Sequence, residues 1–185
     1  MLETLIAYHC GPALAGIKPA NLVACYRANN PNLYEEICRL NLQLNRKDIY
    51  LEILCTCDRR ILLLVYRSRV LQQYLQQEEV QALLRAYGYE DSWDLSRRFQ
   101  HLKRRLQEHE FPHEIGAFLG YPIADIYGFI HHKDEGCLLT GEWKVYHNPE
   151  SAEKTFLRYK ACRRALVRRI SAGQTLAQVF CAASK

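Results

Sequence analysis

Ile49-Tyr50-Leu51-Glu52-Ile53-Leu54-Cys55-Thr56-Cys57-Asp58-Arg59-Arg60-Ile61-Leu62-Leu63-Leu64-Val65-Tyr66 is the stretch that decides the fold. Its first half alternates. Ile49, Leu51, Ile53, Cys55 and Cys57 fall on one side of an extended chain, and Tyr50, Glu52, Leu54 and Thr56 on the other. Asp58-Arg59 supplies a turn, and Ile61 to Tyr66 returns as a nearly all-apolar run. A strand that is apolar on both faces belongs in the middle of a sheet. The stretch therefore predicts a hairpin whose second strand is central, and other elements have to cover it.

Upstream, Asn21-Leu22-Val23-Ala24-Cys25-Tyr26 reads as a further strand, and Asn29-Asn30-Pro31-Asn32 as a turn that opens a helix. In that helix Leu33, Ile37, Leu40 and Leu44 make one apolar face. Leu5 to Tyr8 reads as a short strand, broken by Gly11-Pro12. Downstream, Val70 to Tyr87 predicts one or two helices ended by Gly88. A helix follows from the Asp91-Ser92 cap, with Leu95, Phe99, Leu102 and Leu106 on one stripe. Arg97, Arg98, Lys103, Arg104 and Arg105 take its opposite face, and Phe111-Pro112 stops it. Residues 113–133 predict two short helices broken at Gly120-Tyr121-Pro122.

Gly136 then leads into a strand over 137–147 that carries Leu139, Trp143 and Val145 on one face. Asn148-Pro149 opens a long helix with Ala152, Phe156, Tyr159, Leu166 and Ile170 inward, and a last short helix holds Leu176, Val179 and Phe180. The expectation is one α/β or α+β domain over residues 1–185. Its small central sheet would have about four strands, drawn from 4–8, 21–26, 49–57, 60–67 and 137–147, with helices on its flanks.

With 49% hydrophobic and 24% charged residues the chain is a globular protein and not a disordered one. The N-terminus has no basic stretch of a signal peptide, and the longest apolar run, Ile61 to Val65, is too short to cross a bilayer. A cytoplasmic protein with no membrane partner is expected. The eight cysteines, at positions 10, 25, 38, 55, 57, 137, 162 and 181, include no Cys-x-x-Cys pair and read as free thiols. No Gly-rich phosphate loop, dinucleotide fingerprint, Gly-x-Ser-x-Gly elbow or His-Glu-x-x-His helix is present.

Reactive side chains gather in three stretches. His9-Cys10 precedes the Gly-Pro break, where a thiol would become nucleophilic beside a cation or an imidazole. His113, after Pro112, is the candidate acid or base, and Glu114 the group that orients it or balances its charge. Lys18 would hold an anionic group or lower the thiol pKa. His9, Tyr121 and Trp143 complete the expected substrate-binding set. Against this stands an account in which Cys10 is buried and His113 caps its helix.

The leading expectation is a small-molecule or redox protein acting through Cys10 and His113. The alternative is a non-catalytic binder of a metal, a haem or an anionic partner. His9, Cys10, His113, His131 and His132 are metal-ligand types without zinc-site spacing. Lys154, Arg158, Lys160, Arg163, Arg164, Arg168 and Arg169 make the long helix basic, within a net charge of +5. No nucleic-acid motif accompanies them, so nucleic acid is not expected as a partner. The sequence names no cofactor.

The segments Phe111 to Pro122, Gly141-Glu142-Trp143-Lys144-Val145-Tyr146 and His9 to Lys18 resemble an uncharacterised bacterial family. That family is common among anaerobic Firmicutes and is defined only as a domain of unknown function. The resemblance extends over nearly the whole chain. Members more often carry Ala at 11, Thr at 13 and Tyr at 142, where this chain has Gly11, Ala13 and Glu142, while His9, Cys10, Lys18 and His113 match. The resemblance implies a compact bacterial cytosolic protein and no particular reaction; its anaerobic setting would favour iron as a metal.

Overall fold

The computed structural model describes residues 2–108, 110–133 and 135–181. The chain forms two compact units. One is built from the chain up to Leu71 together with the part from Ala161 onward, the other from Gln72 to Lys160.

The first unit is built on the predicted hairpin. Strands β1 (Ala20–Tyr26), β2 (Ile49–Thr56) and β3 (Arg60–Arg67) form an antiparallel sheet in the order β1-β3-β2. The central place falls to β3, as its all-apolar sequence requires. Val23 and Cys25 of β1, Ile49 and Leu51 of β2, and Ile61, Leu63 and Val65 of β3 join one hydrophobic core. Helices α1 (Leu2–Leu14) and α2 (Leu33–Leu44) supply Leu2, Ile6, Leu14, Ile37, Leu40 and Leu44 to the same core. The alternation of β2 holds only as far as Ile53. A bulge between Ile53 and Cys55 shifts the register there. Leu54 is consequently buried, Cys55 half-buried and Cys57 exposed, so the two cysteines do not continue the inward row.

The segment expected as a strand at 4–8 is helical instead, part of α1. Leu2, Ile6, Cys10 and Leu14 recur every fourth residue and are all buried, which is a helix period. Gly11-Pro12 does not break it: the helix runs through Pro12 to Leu14. Gly16 then ends the turn in the left-handed region at φ 75°, with Ile17 N–H donating to Pro12 O at 3.0 Å.

As an edge strand, β2 leaves backbone groups that face away from β3. The Asn41 amide on α2 occupies that edge, accepting from Leu51 N–H at 2.8 Å and donating to Leu51 O at 2.9 Å. One side chain thus replaces a strand neighbour.

The second unit is helical with a small hairpin. It contains α4 (Glu78–Ala86), which follows α3 (Ser68–Leu75), then α5 (Leu95–Arg105), α6 (Ile115–Phe118) and α7 (Ile123–His132). Strands β4 (Leu139–Thr140) and β5 (Lys144–Val145) pair next, and α8 (Pro149–Ser171) begins. The strand expected over 137–147 is therefore two strands of two residues each. Among the described residues the sheets have three and two strands, and no four-stranded central sheet forms. The class is α+β. The turn between the two strands carries a glycine at 141 where it passes directly over Phe156; a Cβ there would lie 2.2 Å from the ring.

Arg98, placed by periodicity on the solvent face of α5, is buried. Its guanidinium donates to the carbonyls of Trp93, Glu90 and Asp91 at 3.0, 3.3 and 3.1 Å and so ties down the loop before its own helix. A last short helix, α9 (Leu176–Cys181), belongs to the first unit and packs on α2. No helix among the described residues is long and apolar enough to cross a membrane.

Replacing Asn41 by Ala should lower the unfolding free energy by about 1–3 kcal/mol, since Leu51 loses both partners at once. Leu42→Ala, one residue away and 84% exposed, should change it by less than about 0.5 kcal/mol. Urea denaturation midpoints of the two variants check this.

Candidate functional site

The broken helical segment of the second unit forms one side of a cleft. Pro112, His113 and Glu114 lead into α6, whose turns close by hydrogen bonds from Ile115, Gly116 and Ala117 N–H to the carbonyls of Pro112, His113 and Glu114. Gly120, at φ 69°, ends α6, and Tyr121 N–H donates back to Gly116 O at 3.0 Å. Tyr121 is held a second way: its carbonyl accepts from the Tyr74 hydroxyl at 3.0 Å. Pro122 then starts α7, which carries Asp125, Ile126 and Phe129.

The other side comes from the β4–β5 hairpin. Two strands of two residues are far too short to stand alone. Asp125 anchors them. Its buried carboxylate accepts from the Trp143 indole N–H at 2.7 Å, from Tyr146 N–H at 2.8 Å and from His147 N–H at 2.9 Å. Gly128, one turn along α7, lets Tyr146 settle against the helix; a Cβ there would lie 2.4 Å from the tyrosine ring.

Between these walls lies a cleft of about 470 Å³, lined by Phe111, His113, Ile115, Gly116, Tyr121, Asp125, Ile126, Phe129, Glu142, Trp143 and Lys144. Its aromatic rings are already in mutual contact. Tyr121 and Trp143 lie 5.3 Å apart, inclined at 34°, and Phe156 meets the Trp143 ring edge-on at 4.6 Å. His113 packs edge-on against Phe129 at 5.2 Å, and the Lys144 ammonium lies 5.4 Å from the centre of that same ring.

Three of the residues expected in a site, His113, Tyr121 and Trp143, thus line one cleft. Glu114 does not face it. Its carboxylate is fully buried and accepts from Arg105 Nε at 2.9 Å, while Arg105 also pairs with Glu108. The side-chain hydrogen bond to Glu114 holds the Arg105 guanidinium pKa above its usual value. Glu114 anchors the start of α6 to α5, where it was expected to balance His113.

Cys10, His9 and Lys18 belong to the first unit. Cys10 is fully buried in its core, on a helix and not at a strand end. Burial pushes its thiol far up, and nearby Cys25 adds to this; Lys18 and Arg163 pull the other way but do not offset the loss of solvation. Lys18 is itself buried. Cys25 is pushed up to about 11 by burial. His9 is exposed and lines a separate cleft of about 400 Å³ with Leu5, Cys25 and Leu33; partial burial and then the Arg163 guanidinium lower its pKa. The eight cysteines are free. The thiol with the opposite tendency is Cys57, exposed at the turn after β2, whose pKa is lowered chiefly by backbone hydrogen bonds from Arg59 and Arg60.

Among the described residues no group of three or more His, Cys, Asp or Glu side chains is placed to hold a metal ion. The sequence reading missed Asp125, Phe129 and Lys144. Asp125 had one available signal, an acid in the first turn of a helix otherwise apolar on that face.

The match to a model of a protein family of unknown function, DUF3793, runs over residues 6–180 and takes in every residue that lines the aromatic cleft. The chain belongs to the DUF3793 family. No curated protein and no solved structure matches it.

Two outcomes follow from this geometry. Iodoacetamide at pH 7.5, followed by peptide mapping, should label Cys57 well ahead of Cys10, which should react only on unfolding. Asp125→Ala should cost about 3–5 kcal/mol, because three N–H donors lose an ionised acceptor, and Asp125→Asn, which keeps one acceptor oxygen, should cost less. In a Trp93→Phe background the Trp143 emission of the Ala variant should shift to the red.

Proposed function

We propose that this DUF3793 protein binds a small molecule, non-covalently, in the aromatic cleft of its second unit. The observation that carries this reading is the platform of Tyr121 and Trp143, held from both sides by interactions that serve no other visible purpose in the core. Asp125 spends three hydrogen bonds on the hairpin, Tyr74 fixes Tyr121, and two glycines bring backbones close enough for Phe156 and Tyr146 to pack. Rigid aromatic faces beside a concave space accept a flat ring by stacking and area burial together.

His113 sits in the same lining and is the group available to exchange a proton with a bound ligand. The Cys10 half of the expected site supports a packing role better, since a buried neutral thiol is a weak nucleophile. The free cysteines support a reducing, cytoplasmic setting for this binding.

The test uses 2-naphthamide, a flat uncharged probe, in isothermal titration calorimetry. Saturable one-to-one binding to the wild type is expected, weakened about tenfold by Tyr121→Ala, a loss of one aromatic stacking contact. Lack of saturable binding, or binding that Tyr121→Ala and Trp143→Ala leave unchanged, would refute the reading.

A further inference from the structure

We infer that the free edge of β1 is a docking site for an extended peptide with apolar side chains at alternate positions, which adds to the sheet as a fourth strand.

The sheet uses only half of the backbone groups of β1. Arg27 N–H, one residue past the strand, donates to Arg59 O at 3.0 Å. Hydrogen-bonded pairs of an antiparallel ladder recur at every second residue. By the register of β1 on β3, Cys25 therefore exchanges its bonds with Ile61, and Val23 with Leu63. Leu22, Ala24 and Tyr26 direct their N–H and C=O groups the other way. Among the described residues no strand lies on that side of β1, and no side chain bonds to those groups. On the opposite edge of the sheet the outward groups of Leu51 are both filled by Asn41. One edge is capped and the other is open.

The open edge lies in a cleft. Every residue from Leu22 to Tyr26 lines the space of about 400 Å³ in the first unit. Successive side chains of a strand point to opposite faces, so a space that touches all five runs along the edge. One face of α1, with Leu2, Leu5 and His9, walls it, and Leu33 at the start of α2 adds to that wall. Leu2, Leu33, Val23 and Cys25 share one core, and Leu5 packs against it. A chain paired with β1 turns every second side chain toward this apolar wall, which selects aliphatic residues at alternate positions. The strand carries no charge and no proline, the devices by which edges are kept from pairing.

A second copy of the chain fits this edge less well. Seven residues make a strip roughly 23 Å long and about 10 Å deep. That falls far below the roughly 800 Å² that each partner of a stable dimer buries. The edge of a second copy also sits behind the same walls, whereas a free chain enters between them.

The probe is the fluorescein-labelled peptide Lys-Val-Thr-Val-Thr-Val-Lys, followed by fluorescence anisotropy. Saturable one-to-one binding is expected. N-methylation of the three valines and of the two threonines, in separate peptides, should have unequal effects. The set whose N–H groups face β1 should lose at least about tenfold and the other set less than about threefold. Ala24→Pro removes an outward N–H and spares the ladder to β3, so binding should weaken about tenfold. Leu5→Gln, in the wall, should weaken it several-fold, with melting temperatures as the control for folding. If Ala24→Pro does not fold, the two methylated peptides decide the matter alone. Lack of saturable binding, or binding that neither methylated set nor Leu5→Gln weakens, would overturn the inference. So would dimerisation of the unliganded chain in analytical ultracentrifugation that Ala24→Pro abolishes, because the edge would then belong to a second copy.

Discussion

The carboxylate of Asp125 holds the second unit's cleft together. A hairpin with two residues in each strand has almost no pairing energy of its own, and its backbone bonds are too few to repay the ordering of its turn. What fixes it is an ionised acceptor on a neighbouring helix, placed where two consecutive backbone N–H groups and one indole N–H converge. Such bonds are roughly twice as strong as neutral ones, and the burial of Asp125 keeps water from competing for them. Trp143 is the residue whose position depends on this most directly, since its ring is both bonded to Asp125 and exposed to the cleft.

The opposite wall depends on a second buried charge. Glu114 is fully enclosed, and a carboxylate there is tolerable only because Arg105 meets it at hydrogen-bonding distance. The pair links α5 to the first residues of α6 and so fixes where His113 emerges. Its neighbour in sequence, Ile115, is packed inside, so the segment Pro112-His113-Glu114-Ile115 has little freedom left. Glycine then finishes the construction: Gly120 adopts a left-handed conformation that a β-carbon would resist, and this turn directs Tyr121 away from the axis of α6. The irregularity of residues 111–122 is thus the means by which two side chains three-dimensionally distant in a straight helix come to line one cleft.

How much of this the amino-acid order discloses follows from how local each cause is. The β2–β3 hairpin and the central place of β3 are local properties, alternation followed by an uninterrupted apolar run, and they are read correctly. The bulge at Leu54 is not, because it depends on the register of β3 opposite it. At the N-terminus the four-residue recurrence of Leu2, Ile6, Cys10 and Leu14 competes with the short run Leu5 to Tyr8 and with the break signal of Gly11-Pro12, and the recurrence prevails because all four side chains are buried. The same misreading put Cys10 at a strand end and made it look reactive. His113 and Tyr121 are legible as unusual chemistry in a glycine- and proline-broken segment, and Trp143 as an aromatic on the strand expected over 137–147. Asp125 and Lys144 were not, since their partners lie in another element: Asp125 finds its donors about twenty residues on, and Lys144 finds Phe129 on α7.

A site made from a hairpin that cannot stand by itself has a thermodynamic consequence. Local stability in proteins is uneven, and elements with few internal bonds open at lower free energy than the core. Here the hairpin is fastened at a small number of points: the Asp125 carboxylate, the contact of Tyr146 with Gly128, and the packing of Phe156 under Gly141 and Trp143. A ligand stacked on Trp143, as proposed, would bind only the closed arrangement, so its binding energy would add to those fastenings in proportion to the logarithm of its concentration over its dissociation constant. Conversely, any fraction of molecules with the hairpin open weakens the apparent affinity by that fraction. Substitutions at Gly128, which lies outside the cleft lining, would therefore act on affinity and on local opening together, through the contact with Tyr146.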